Sequence, residues 1–362
     1  MPKPGDRDAG GPEGPRPARR PTMADVAARV GVSRQLVSLV LGGRPGPSAT
    51  AREQILRAAE ELGYRADTAA RLLRRTRSRQ VGVLFTLEHP LDAHVVEAVY
   101  PVAAELGYSV VLSAMLTTRT ERESIDDLLG LRCEALILIG MSAEAPTDLA
   151  KVAELVPVVE IGQRTGAPGT DSVRTADARG VHQAVDHLVS LGHRDISHVD
   201  GGDLPGARER LRGYRDGMAA HGLADRTDVL PGDYTEESGA RAARVLLARE
   251  RPPTAVVACN DLCALGLVGT LSRAGSSVPD DISVVGYDDS RTARLPFLQL
   301  TSVRQDAAEM ARLAVRSVAE RLDDGRTESR HLVLEPVLAV RGSTGAPRRD
   351  RSRPAPSDAR LP

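Results

Sequence analysis

Cysteine is scarce in this chain: Cys133, Cys259 and Cys263 are the only three among 362 residues. An odd number in a long chain, all within apolar stretches, speaks against a disulfide framework. They read as small buried hydrophobes in a reducing compartment. No histidine cluster accompanies them, so a cysteine-histidine metal centre is not expected. His182, His187, His193 and His198 form no HExxH-type pair and read as surface and packing residues. No apolar run reaches transmembrane length. The first twenty residues, MPKPGDRDAGGPEGPRPARR, have no apolar core from which to build a signal peptide. No G-x-G-x-x-G follows a first strand, no P-loop occurs, and GGDLPG has the wrong spacing for either. These absences argue against a secreted disulfide scaffold, a membrane protein and a nucleotide-dependent enzyme. They leave the expectation of a soluble protein without catalysis, metal or cofactor.

What is present begins with charge. The net charge of -1 is a near-cancellation: residues 1–80 hold 16 lysines and arginines against 8 acids, a balance of +8, so the rest carries -9. A basic segment on an acidic body places the polyanion partner at the N-terminal part. Within it, TMADVAARVGVSRQLVSLVL (residues 22–41) reads as two short helices with a tight turn at Gly31, where a positive φ needs no Cβ. Thr22 caps the first helix with Asp25 at capping-box spacing, and Val26, Ala27 and Val30 share one face. Ser33 caps the second, where Leu36, Val37 and Val40 make a buried stripe and Arg34, Gln35 and Ser38 face away. That is the pattern of a helix-turn-helix. A third helix, residues 48–62 ending at Gly63, offers Ile55, Leu56, Ala59 and Leu62 as the face closing a three-helix domain.

The leader 1–20 is too rich in Gly, Pro and Arg to fold. After Tyr64 a short amphipathic stretch, residues 68–75, precedes basic linker; about eight residues make no stable helix in water unless something packs on them. From Val81 apolar strands alternate with amphipathic helices: VGVLFTL, YSVVLSAM, EALILIG, VPVVEIG, then DISHVDG, AVVACN and ISVVGYDD. This grammar implies parallel, helix-covered sheets, and the number of strands implies two doubly wound subdomains with a ligand cleft at strand ends. After Arg341 the composition is again that of a disordered tail, without a leucine heptad for a tetramerisation bundle.

The stretches MADVAARVGVSRQLVSLVL, LRAAEELGYR, VDHLVSLGHRDISHVDG, RERLRGYRDGM, CNDLCALG and VPDDISVVGYDD stand in the order and spacing of the LacI/GalR family of bacterial transcriptional repressors. The chain resembles that family over about residues 22–340. The resemblance implies an α/β fold: a helix-turn-helix three-helix domain (21–64), a hinge helix and linker (65–80), then a periplasmic-binding-protein-like effector domain (81–342). Subdomain 1 would span about 81–161 and 305–331, and subdomain 2 about 162–304 and 332–342, with a tail from 343 to 362. It implies a cytoplasmic, nucleoid-associated homodimer on a near-palindromic double-stranded operator, controlled by a small effector, a sugar or sugar derivative.

The resemblance also implies site residues. Thr22, Ser33, Arg34, Gln35, Ser38 and Leu39 would face DNA; Arg suits guanine O6/N7 and Gln suits adenine N6/N7. Leu39 departs from the polar or basic residue usual there and would meet a thymine methyl or the backbone. Leu73 stands where the family's hinge leucine wedges into the minor groove, with Ala70 as a packing residue, the alternative being that Leu72 and Leu73 pack against the partner hinge; Ala66 and Asp67 replace the usual Pro-Asn. Arg210, Tyr234, Asn260, Asp288 and Gln305 would line the effector cleft. Asn260 and Asp288 also read as helix caps after strands. EHPLDAH (88–94) departs from the aromatic-containing loop usual in the first subdomain. The competing reading is a transported-solute binding protein of the same two-subdomain fold, which does not account for the helix-turn-helix or the leader.

Overall fold

The structure is a computed structural model that describes residues 21–43, 45–64, 77–116, 118–140, 148–162 and 165–348. The leader 1–20, the expected hinge helix with Ala70 and Leu73, and residues 349–362 lie outside the described residues. The chain divides into two units, Met1–Arg77 and Ser78–Pro362. No described helix is long and apolar enough to cross a membrane.

In the first unit, helices α1 (Met23–Val30), α2 (Arg34–Leu41) and α3 (Ala49–Glu61) pack around Val26, Ala27, Val37, Val40, Ile55, Ala58 and Ala59. Each begins where a hydroxyl can satisfy a first-turn N–H. The Thr22 backbone N–H donates to Asp25 Oδ2 at 2.7 Å while Asp25 N donates to Thr22 Oγ1 at 3.4 Å, completing a capping box. Ser33 and Ser48 accept from Leu36 N and Ala51 N, each at 3.2 Å. Gly31 adopts φ 74° at the turn. One expectation is corrected: Leu56 is 47% exposed, and Ala58 joins the core instead. The helical period explains the exchange, since Ile55, Ala58, Ala59 and Leu62 form the i, i+3, i+4, i+7 face and Leu56 falls about 100° away.

The second unit holds two six-stranded sheets, each with helices on both faces. The first has the order β11-β5-β4-β3-β1-β2: β1 (Gln80–Thr86), β2 (Ser109–Met115), β3 (Ala135–Ile139), β4 (Val158–Ile161), β5 (Asp171–Thr175) and β11 (His331–Leu334). The second has the order β12-β10-β9-β8-β6-β7: β6 (Ile196–Val199), β7 (Asp228–Leu230), β8 (Ala255–Ala258), β9 (Ser283–Asp288), β10 (Thr301–Arg304) and β12 (Val337–Ala339). Among the described strand pairs of the two sheets, only β10–β12 is antiparallel. Helices α4 (Pro90–Glu105), α5 (Glu121–Gly130), α6 (Leu149–Leu155) and α11 (Ala307–Leu322) cover the first sheet. Helices α7 (Asp177–Ser190), α8 (Ala207–Ala220), α9 (Glu236–Leu247) and α10 (Asp261–Arg273) cover the second.

Three boundaries differ from the sequence reading. The chain leaves the first sheet after Thr175, not at 162, because Asp171–Thr175 pairs with β4 on one side and β11 on the other. Residues 332–334 belong to that sheet as well, for the same reason. Residues 343–348 are no free tail. Ser343 Oγ donates to Val284 O at 2.6 Å, Gly345 N donates to Ser283 Oγ at 3.0 Å, and buried His193 contacts Gly345 O through Nε2 at 2.8 Å. Backbone bonding to the second sheet orders a segment whose own side chains are too small and polar to announce it.

Two details position the rest. The α9–α10 crossing is so close that a Cβ at Gly239 would stand 1.9 Å from Cys263 O, and one at Gly266 1.9 Å from Glu236 O. Where the chain enters the unit, Arg79 stacks on Tyr108 at 4.4 Å and donates to Leu106 O at 2.9 Å, at the C-terminal end of α4. All three cysteines are buried and free.

Candidate functional site

On the first unit, the capping of α2 by Ser33 leaves its opening turn facing solvent. Arg34, Gln35 and Ser38 are exposed, Leu39 is half-buried, and Val37 and Val40 anchor the opposite face. The exposed run therefore presents one guanidinium, one amide and one hydroxyl on a helix start. Thr22 is committed to its capping box through both its backbone N–H and its hydroxyl.

On the second unit, a cleft of about 610 Å³, its open mouth included, lies where the carboxyl ends of the two sheets face each other. Arg210, Tyr234, Asn260, Asp288 and Gln305 all line it, each brought there by a strand end or the element after it. Arg210, on the first turn of α8, is 6% exposed. Its Nε donates to Asp177 Oδ1 at 3.0 Å and its Nη1 to the Cys259 carbonyl at 2.6 Å; Nη2 stands 3.8 Å from Asp288 Oδ1. The guanidinium also lies over the Tyr287 ring at 3.8 Å and near the Tyr234 ring at 5.1 Å. Three contacts and two aromatic faces fix a long side chain in one geometry, which is what oriented recognition requires.

Asp288 ends β9 with φ 109°, an arrangement few side chains adopt. Burial pushes its carboxyl up to about 6, against the pull of Arg210 and the Gln305 bond. Gln305, just after β10, joins the ends of β5 and β9, since its Nε2 donates to Asp288 Oδ1 at 2.8 Å while its Oε1 accepts from Thr175 Oγ1 at 2.8 Å. Asn260, the sole asparagine of the sequence, caps α10: its Oδ1 accepts from Cys263 N at 2.8 Å and its Nδ2 donates to Tyr234 O at 3.0 Å. Tyr234 sits at φ 66° with its hydroxyl donating to Pro205 O at 2.7 Å, so its ring face, not its hydroxyl, remains for a ligand. Behind this wall Asp261 is raised as well, by burial and then by the neighbouring Asp288 charge.

The first sheet contributes residues that the sequence reading does not single out. His89 and Asp92 precede and open α4, and Leu91, Val95, Ile139, Ile161 and Met310 make the rest of that wall apolar. The His89 and Tyr234 rings meet edge-on at 5.8 Å, one from each side of the cleft. Asp177, opening α7, was also missed. Both missed aspartates stand in the first helical turn after a strand, the signal that could have found them.

Fold and site together define a DNA-binding protein of the helix-turn-helix type whose α/β core encloses a small-molecule cleft. A model of bacterial regulatory proteins of the lacI family matches residues 22–67, and a periplasmic binding protein-like domain model matches residues 185–344. The HTH-type transcriptional regulator CelR of Thermobifida fusca is 35% identical over 90% of this chain and 98% of its own length. Among solved structures, a transcriptional regulator CelR–cellobiose complex aligns with TM-score 0.66 and 33% identity over 90% of this chain and all of that one. The lac repressor dimer bound to operator and the anti-inducer ONPF aligns with TM-score 0.77 and 29% identity over 91% and 100%. The chain belongs to the LacI family of bacterial transcriptional regulators.

Proposed function

We propose that this chain is a repressor that binds a near-palindromic operator as a homodimer and responds to a carbohydrate effector in the cleft, without catalysis. The observation that carries the effector reading is the polar wall itself. A fixed guanidinium, a buried carboxylate and a tyrosine ring stand side by side at strand ends, the chemistry that pairs sugar hydroxyls and stacks on a sugar's apolar face. The cellobiose complex of a 33%-identical relative supports a sugar in such a cleft, and the operator complex of the lac repressor dimer supports the DNA mode. Arg34, Gln35, Ser38 and Leu39 are the base-facing residues in this proposal, with Thr22 and Ser33 positioning the two helices. In this proposal the hinge, with Leu73 as minor-groove wedge and Ala70 as a packing residue, couples the two functions.

The test is a gel shift on DNA upstream of the gene, with and without saccharides. Arg34→Ala should weaken binding to the operator by about 1–3 kcal/mol and relax base preference at one position in each half-site. Equal weakening on all sequences would make Arg34 a phosphate contact instead.

A further inference from the structure

The charge inside the cleft narrows the chemistry of its ligand, an inference that rests on the cleft being the effector site. Three carboxylates line it, Asp92, Asp177 and Asp288, against one guanidinium, Arg210, among the described residues. Asp92 and Asp177 are 4% and 5% exposed. A helix N-terminus is the usual seat for a phosphate, because its first N–H groups are unpaired and its dipole is positive. Here each helix start that faces the cleft has an acid or a cap beside it. At α4, Pro90 has no N–H to offer, and Asp92 Oδ2 accepts from Thr86 N at 3.1 Å and Thr86 Oγ1 at 2.9 Å beside it. Asp177 opens α7, and its Oδ1 stands 3.5 Å from where a side chain at Gly206 would begin, so it also covers the start of α8. At α10 the Asn260 amide oxygen already holds the Cys263 N–H.

Arg210 cannot offset this for an incoming anion. Its Nε and one N–H of Nη1 are engaged at 3.0 and 2.6 Å, and Nη2 lies 3.8 Å from Asp288 Oδ1, so its charge is already shared between two carboxylates. On the opposite wall Leu91, Val95, Ile139, Ile161 and Met310 offer an anion nothing, which leaves His89 as the side-chain donor there. We infer that the cleft selects an uncharged, hydroxyl-rich ligand with one apolar face, an unphosphorylated saccharide, and rejects the corresponding phosphate monoester. One uncompensated like charge about 6 Å away, at an effective dielectric constant of about 20, amounts to roughly 100-fold in affinity.

The experiment is a thermal-shift screen of the full chain followed by calorimetry, with glucose, cellobiose and trehalose set against glucose 6-phosphate and trehalose 6-phosphate. The expected result is stabilisation by at least one neutral sugar, with the phosphorylated sugars binding at least about 100-fold more weakly. A phosphorylated sugar that binds as tightly as the neutral ones, or more tightly, overturns the neutrality inference and leaves the carbohydrate reading standing. Failure of every sugar to shift a sample that still binds operator overturns the carbohydrate reading itself. In Asp92→Asn the discrimination should narrow by about tenfold, for the loss of part of that repulsion; an unchanged ratio in folded variant protein removes Asp92 from the rejection. The wild-type comparison decides the inference even if the variant does not fold.

Discussion

The two walls of the cleft are built on opposite principles. The second sheet supplies a wall of polar groups that are already bonded to one another, Arg210 to Asp177 and the Cys259 carbonyl, Gln305 to Asp288 and Thr175, Asn260 to Tyr234. The first sheet supplies mainly hydrocarbon, with Val95, Ile139, Ile161 and Met310 each at most 2% exposed. A polar wall bonded within itself fixes where a ligand's hydroxyls must point, since each group has little freedom to follow a wrong partner. The apolar wall fixes how close the ligand comes and which face it turns. Orientation and approach are thus divided between the two halves.

The sharpest way to break this comparison is Arg210→Ala. Removing a buried guanidinium leaves Asp177 and Asp288 without their partner, so the loss in stability should be about 3–5 kcal/mol, read as a lower urea midpoint, and effector binding should vanish. If stability fell by less than about 1 kcal/mol, the polar wall would be a rim and not a scaffold. Asp288→Ala should weaken the effector by about 1–3 kcal/mol in calorimetry while operator affinity without effector stays close to wild type. Its pH signature has a definite sign. Burial raises the folded carboxyl to about 6 from 3.8, so the stability it lends in neutral form is complete below the lower value and is lost as pH rises through the upper. Wild type should therefore gain on Asp288→Ala in denaturant melts at pH 4 relative to pH 7; a constant difference across that range would refute the raised carboxyl. The smallest effect belongs to the other wall. Ile139→Val should cost about 0.5–1.5 kcal/mol of stability and change effector affinity less than tenfold, and a larger loss of affinity would show that the apolar wall also selects the ligand.

The same contrast explains what the sequence disclosed. Asn260 and Asp288 stand at the ends of apolar runs, AVVACN and ISVVGYDD, so their placement at strand ends could be read directly. The helix-turn-helix was legible because its caps, its turn glycine and its stripe agree. The strand Asp171–Thr175 was not, since its buried residues include Asp171, Ser172 and Thr175 and it has no apolar run to mark it. Asp171 is tolerated there because Arg321 and Arg326 reach it at 2.8 and 2.6 Å from residues 150 and 155 positions away, a partnership no local window contains. Asp92 and Asp177 escaped for a related reason: an aspartate in a first helical turn looks like a cap until the fold shows the cleft in front of it.

One joint in the first sheet has a mechanical meaning. Helix α4 begins at the cleft with Leu91 and Asp92 in its wall, and ends with the Leu106 carbonyl in the grip of Arg79. Its 16 residues make a rod about 24 Å long. Arg79 lies just past Arg77, where the chain passes from one unit to the other. A tilt of the cleft end of α4 would therefore reach Arg79 without an intervening loop. The rod also has a soft point, for Pro101 offers no N–H to the turn before it. A tilt of one end of α4 would therefore reach the other weakened at that one missing bond.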